Sequence, residues 1–119
     1  MLVMHRLSVA QGLVNMLKGD SGVSVYIEND YSKAADAVRS HRADAALIEI
    51  TESARYDDSY CLALCSRLRK TAPGCRLVLL CPEKDEAYIA AVVKARQNDE
   101  IDDFIFYDAS LDYMASKLI

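Results

Sequence analysis

Five short apolar segments recur along the chain, at residues 2–4, 23–27, 45–48, 77–81 and 104–107. Most of them lack the alternation of apolar and polar residues that marks a strand with one solvated face. Near-continuous apolar strands are typical of parallel sheets that helices cover on both faces. The pattern therefore predicts five central strands of a parallel sheet.

Between these segments, apolar residues recur at the three- and four-residue spacing of amphipathic helices. The first helix follows Ser8, which fits a capping box with Gln11 three positions later. The third helix ends before Pro73 and Gly74, because both residue types terminate helices. The five predicted helices follow Ser8, lie at residues 32–41 and 58–71, and follow Pro82 and Ser110. Their apolar faces are formed, in order, by Val9, Leu13 and Met16 or Leu17; Ala34, Ala37 and Val38; Cys61, Leu64, Cys65 and Leu68; Ile89, Val92 and Val93; and Leu111, Met114 and Leu118.

Strands that alternate with helices specify repeated βαβ units, whose right-handed crossovers place helices on both faces of the sheet. We expect an α/β fold: a flavodoxin-like doubly wound (βα)5 sandwich with a five-stranded parallel sheet of order 2-1-3-4-5. A chain of 119 residues fits one such domain, at residues 1–119. Ligands of these folds bind beyond the carboxyl ends of the strands, where the strand order reverses. Functional residues are therefore expected at 4–5, 49–51 and 81.

Composition narrows the class of function. A net charge of -4 and a pI near 5.1 argue against direct nucleic-acid binding by this domain. No apolar run is long enough to span a bilayer. An export signal needs a long apolar stretch near its start, whereas residues 1–6 already become basic. We expect a cytoplasmic domain that does not engage membranes. The cysteines lack the paired spacing of zinc or redox sites and are predicted to be small buried hydrophobes; they are Cys61, Cys65, Cys75 and Cys81.

Three segments at the predicted strand ends carry a family resemblance. Residues 3–13 combine a strand with a helix that contains Gly12, and residues 41–50 form an apolar strand that ends at Glu49. Residues 102–110 form an aromatic strand that ends in Asp-Ala-Ser. In their order and spacing, these segments resemble response-regulator receiver (CheY-like) domains, particularly those of LuxR-type transcription regulators. The resemblance implies two-component signal transduction. The Asp-Ala-Ser segment favours a DNA-binding domain that follows residue 119 in a longer regulator, and a stand-alone domain is the alternative.

The departures from the family pattern concern its phosphorylation chemistry. Receiver domains are implied to hold Mg²⁺ with two acidic residues, where this chain has Met4 and His5, whose thioether and imidazole suit this cation poorly. The phosphoacceptor aspartate is replaced by Glu49, whose extra methylene displaces the nucleophilic oxygen by about 1 Å. Cys81 replaces the family's threonine or serine, and Tyr107 replaces the lysine that balances the phosphoryl charge.

We therefore expect a pseudo-receiver that is not an enzyme and needs no cofactor or metal. In the family, the fourth helix, fifth strand and fifth helix form the surface for a protein partner or a homodimer. By resemblance, that surface includes Tyr88, Lys94, Tyr107 and Tyr113, of which Tyr107 fits the buried core equally well.

Several alternatives stay open. A diverged receiver could still be phosphorylated with Mg²⁺, or a small ligand could occupy the crevice at Glu49 in place of phosphate. His5, Glu49 and Cys81 could form a thiol-dependent enzyme site, because imidazole commonly activates thiols. Glu49 could also mimic the phosphorylated acceptor, although a carboxylate lacks the charge and the three acceptor oxygens of a phosphoryl group.

Overall fold

The sheet of the protein is parallel throughout. The computed structural model describes residues 1–19, 23–51, 54–82 and 86–118. Within these residues, five strands pair in the order β2-β1-β3-β4-β5, and every neighbouring pair is parallel. The strands are β1 (Leu2–Val3), β2 (Ile27–Glu28), β3 (Ala45–Glu49), β4 (Arg76–Cys81) and β5 (Asp103–Phe106). The predicted α/β class and the flavodoxin-like strand order are confirmed.

Helices connect the strands on both faces of this sheet. They are α1 (Leu7–Leu17), α2 (Ala34–Ser40), α3 (Asp58–Thr71), α4 (Glu86–Gln97) and α5 (Leu111–Ser116), with 3₁₀ turns at Tyr31–Lys33 and Ala54–Tyr56. Helix α3 has the predicted bounds, and the Asp57 side chain caps it by accepting the backbone N–H of Tyr60 at 3.0 Å. Ser110 caps α5 in the same way, through the N–H of Tyr113 at 3.1 Å.

The first helix and the second strand differ from the prediction. Helix α1 starts at Leu7 after Arg6, without a side-chain cap bond, so the predicted capping box does not form. Ser8 already lies inside the helix, and Gln11 Nε2 instead donates to Asn15 Oδ1 at 3.2 Å. The predicted second strand at 23–27 forms at its end only: β2 is the two-residue edge strand Ile27–Glu28, which pairs with β1, and residues 23–26 are not strand. Its Ile27 is 40% exposed.

The core has two layers, one on each face of the sheet. Alternate strand residues such as Ile48 and Leu79 pack against α2, α3 and α4, whereas their neighbours Leu47 and Leu80 pack against α1 and α5. Gly12 allows α1 to approach α5 closely, because a Cβ at this position would lie 2.9 Å from Leu111 Cδ1. Among the described helices, none combines the length and apolar character that a bilayer crossing requires.

Candidate functional site

A buried acid marks the carboxyl ends of the central strands. Glu49 is the last residue of β3, and it is only 1% exposed. Its Oε1 atom accepts the backbone N–H groups of His5 at 2.7 Å and Arg6 at 3.0 Å. Its Oε2 atom lies 3.4 Å from Arg6 Nε. A carboxylate can stay ionised in a protein interior when hydrogen bonds and an opposite charge compensate its lost hydration. This chain supplies both from the loop between β1 and α1.

Arg6 links the buried acid to the neighbouring strand. Its guanidinium carbon lies 4.2 Å from the centroid of the Tyr107 ring, within the range of a cation–π interaction. The arginine side chain is 48% exposed, so one of its faces meets solvent while the other covers Glu49 and Tyr107. The family resemblance predicts a site without its usual lysine, because Tyr107 stands there. No pattern in the sequence pointed to Arg6. The site therefore has a cation that reaches it from β1 rather than from β5.

Tyr107 follows β5 and closes the other side of the site. Its hydroxyl donates a hydrogen bond to the backbone carbonyl of Ile50. Burial of the phenol, and next the negative charge of Glu49, raise the pKa of Tyr107 above its usual value. The hydroxyl therefore stays protonated and remains a donor at physiological pH. Tyr107 is thus a neutral, half-buried group at the end of β5.

A second tyrosine supports Glu49 from below. The buried Tyr31 hydroxyl donates to the Glu49 backbone carbonyl at 2.6 Å, and the Tyr31 ring stacks on Tyr56 at a centroid distance of 4.1 Å. The Cys61 thiol lies 3.8 Å from the same carbonyl oxygen. Burial raises the pKa of Tyr31, so this donor also keeps its proton. Sequence reasoning missed Tyr31, because no local pattern connects it with a strand end eighteen positions later.

The structure separates the remaining predicted site positions. His5 reaches Glu49 through its backbone N–H, while its side chain is exposed. Met4 is buried in the core layer of α1 and α5, whereas Cys81 is buried in the layer of α2, α3 and α4. The predicted positions therefore lie at one end of the sheet, but Met4 and Cys81 belong to opposite faces.

Met4, His5 and Glu49 do not offer the donor atoms that a magnesium ion needs. Mg²⁺ prefers an octahedron of oxygen ligands. Met4 contributes a buried thioether, and the carboxylate of Glu49 already accepts two N–H groups and pairs with a guanidinium. The positive charge of Arg6 also opposes a divalent cation. Across the described part of the chain, no group of three His, Cys, Asp or Glu side chains is placed to hold a metal.

The four cysteines are all buried and reduced, so their prediction as small hydrophobes is confirmed. Burial raises the pKa of Cys65 to about 12, and it also raises the pKa values of Cys61 and Cys75. These thiols are protonated at neutral pH. A protonated and buried thiol is a poor nucleophile and a poor metal ligand.

The predicted partner surface includes α4, β5 and α5. Lys94 is exposed on α4, and Tyr113 is 49% exposed on α5. Lys117 Nζ lies 5.2 Å from the centroid of the Tyr113 ring and forms an ion pair with Asp103 at 2.9 Å. The side chain of Tyr88, the fourth predicted residue of this surface, lies outside the described part. Tyr107 borders both this surface and the site.

The fold and the strand-end site together define a receiver-type α/β domain, and solved structures agree. No protein-family model matches the sequence, and no curated protein matches it either. A LuxR-family DNA-binding response regulator from Staphylococcus aureus superimposes with a TM-score of 0.74 at 14% identity, over 98% of this chain and 91% of that one. A CheY-like response regulator receiver domain protein from Methanospirillum hungatei JF-1 gives 0.76 at 14%, over 98% and 86%.

A third similar structure carries a different name. It is an adenylate cyclase from Rhodopirellula baltica, with a TM-score of 0.80 at 12% identity, over 98% of this chain and 81% of that one. At such identities the likeness concerns the fold. The resemblance to response-regulator receiver domains is thereby confirmed as a shared fold over nearly the whole chain.

Proposed function

We propose that this domain is a binding and switching module of signal transduction that works without phosphorylation. One observation carries the proposal: the carboxylate of Glu49, at the phosphoacceptor position, is buried and already holds two N–H donors and a guanidinium. A nucleophilic oxygen must reach the phosphorus atom of a donor in line with the leaving group. An acid 1% exposed, with its oxygens bound by the chain, is poorly placed for such an attack.

The charges at the site support the same proposal. Phosphoryl transfer needs cations that stabilise charge developing on the transferred group. Among the described residues, Arg6 is the cation in contact with Glu49, which already neutralises it. A second anion would have to compete with a carboxylate that belongs to the chain. The Arg6–Glu49 pair thus holds the loop after β1 against the end of β3 in one arrangement.

We assign the output to protein contacts rather than to catalysis. The surface formed by α4, β5 and α5 presents the exposed Tyr113 beside the Lys117–Asp103 ion pair. Tyrosine is enriched among residues that dominate interface energies. The proposal is a cytoplasmic module, with no cofactor, that pairs with a protein partner or a second copy through this surface. Control of transcription would then depend on a DNA-binding domain beyond residue 119.

The enzymatic and small-ligand alternatives at Glu49 have less support. A thiol nucleophile needs exposure and a neighbouring base, whereas Cys81 is buried in the core and His5 uses its backbone to reach Glu49. A ligand in the crevice would have to displace Arg6 and Tyr107 from their contacts with Glu49 and Ile50.

The test is treatment of the protein with Mg²⁺ and acetyl phosphate, followed by intact mass spectrometry and sedimentation equilibrium of the same samples. We expect no phosphoryl adduct and no change in the state of association. Glu49→Gln is the matched control, because it removes the acceptor but keeps the shape of the side chain. A stoichiometric adduct that this variant lacks would overturn the proposal, as would association that changes only on treatment.

A further inference from the structure

A cleft lies at the opposite end of the sheet from Glu49. It has a volume of about 610 Å³ and is bordered by the amino ends of β1, β3 and β4. Sites for small ligands commonly enclose about 300 to 1,000 Å³. The cleft shares no lining residue with the Glu49 site, so its interpretation is independent of the function proposed above.

The lining of this cleft is mixed, and apolar side chains form one part of it. Leu2 and Leu17 lie at its base, buried in the core layer of α1 and α5. The partly buried Val25 and Leu118 carry this apolar part toward the opening. At one side, the Tyr26 ring stacks on His41 with a centroid distance of 3.8 Å. The cleft therefore offers an apolar ring or an aliphatic chain a contact surface that lies beside polar groups.

The rim of the cleft is basic, although the protein carries a net charge of -4. Arg42 lies in the turn between α2 and β3, and Arg76 is the first residue of β4. Both line the cleft together with one acid, Asp44. Neither arginine forms an ion pair with any other residue that the structure describes. Arg76 also interacts electrostatically with Asp102. Two guanidinium groups at one rim, neither of them ion-paired within the described residues, can together bind an anion.

The end of α2 fixes the position of Arg42 at the rim. Arg42 has a φ of 49°, and the N–H groups of Arg42 and Ala43 bond to the carbonyls of Arg39 and Val38 at 3.2 and 3.0 Å. This is a common C-terminal cap of a helix, in which one residue takes the left-handed conformation. The backbone of Arg42 is therefore held in place beside the cleft.

We propose that the cleft binds a small amphipathic anion. Its ring or short aliphatic body would pack on Val25 and Leu118, above Leu2 and Leu17, and its carboxylate, sulfonate or phosphate group would bind Arg42 and Arg76. The apolar part of the lining supplies affinity for the body of the ligand, and the two arginines select for the charged head.

The test uses 8-anilinonaphthalene-1-sulfonate, a fluorescent probe that joins an aromatic body to a sulfonate. We expect saturable binding with one site. Arg42→Gln and Arg76→Gln should each weaken it about fivefold, and the double variant about 25-fold, because each removes a charge-assisted contact. Arg39→Gln is the matched control: this exposed arginine pairs with Asp36 and lies outside the cleft lining. The affinity of this control variant for the probe should stay within about twofold of that of the unchanged protein.

Competition and mapping separate this site from general adsorption, since the probe also binds loosely packed apolar surface. Octanoate should displace it, whereas octanol, without a charge, and acetate, without a body, should displace it poorly. Amide chemical shifts should change near Leu17 and Ala43 rather than near Glu49. Unchanged affinity in the double variant, equal displacement by octanol, or shifts confined to the Glu49 end would each overturn the proposal.

Discussion

Two sets of charged groups, one at each end of the sheet, differ in their partners. At the carboxyl end, Glu49 is buried and the chain itself provides its donors and its counter-ion. At the amino end, Arg42 and Arg76 border an open cleft, and neither forms an ion pair within the described part of the chain. A charge whose partners are built in stabilises the fold, whereas a charge without them remains available to a ligand. At the end where α/β folds usually bind ligands, the carboxylate of this chain is thus already occupied.

The largest expected effect is the loss of stability on replacing Glu49, at the carboxyl end of the sheet. Glu49→Ala leaves the N–H groups of His5 and Arg6 without an acceptor in a partly buried setting. Unsatisfied donors of this kind cost about 1 to 3 kcal/mol each. We expect the free energy of unfolding, measured in urea, to fall by about 3 kcal/mol.

The matched change at the other end is Asp44→Ala, which removes an exposed acid from the rim of the cleft. It should change the free energy of unfolding by no more than about 0.5 kcal/mol. Buried ion pairs are sometimes neutral when they are removed. Equal losses in the two alanine variants would therefore contradict a structural role for Glu49.

A smaller effect is expected from the hydroxyl below the buried acid. Tyr31→Phe removes the donor to the Glu49 carbonyl and keeps the stacked ring. We expect a loss of about 1 to 2 kcal/mol in urea unfolding, since a buried carbonyl loses its hydroxyl donor and keeps the weaker Cys61 thiol. Tyr60→Phe, in a more exposed ring of the same aromatic cluster, is the control and should stay within about 0.5 kcal/mol. If both variants unfold alike, the Tyr31 hydroxyl contributes nothing specific.

The smallest effect compares two arginines. Arg6→Gln removes the counter-ion of Glu49 and the contact with the Tyr107 ring, but half of this side chain is exposed. Solvent screening limits the expected loss to about 1 kcal/mol. Arg42→Gln should leave stability unchanged within about 0.5 kcal/mol, because its charge has no ion-pair partner to lose. The measurement is thermal or urea unfolding of both variants. A larger loss of stability in Arg42→Gln than in Arg6→Gln would contradict this prediction.

The sequence predicted the fold where apolar patterns are long. Strands such as β4 and the 14-residue α3 have enough periodic positions to define their bounds. Strand β2 has two residues at an edge and follows its pairing with β1 rather than its own pattern. The start of α1 was predicted wrongly for a similar reason. Glu49 holds the loop after β1, and this tertiary contact outweighs the local capping signal.

Some residues of the candidate site could be predicted from the sequence, and others could not. Glu49 and Tyr107 could be predicted, because residues that follow parallel strands meet at one edge of the sheet. Arg6 and Tyr31 could not, since they reach Glu49 across 43 and 18 positions of sequence. Only the packed chain brings them together. The two core layers that separate Met4 from Cys81 likewise depend on which face each strand residue takes.

The contacts between the β1–α1 loop and Glu49 also limit which side chain position 49 can carry. A shorter aspartate would retract from the N–H groups of His5 and Arg6. Arg6 would lose its close carboxylate partner at the same time. The length of the side chain at this position is therefore constrained as well as its charge.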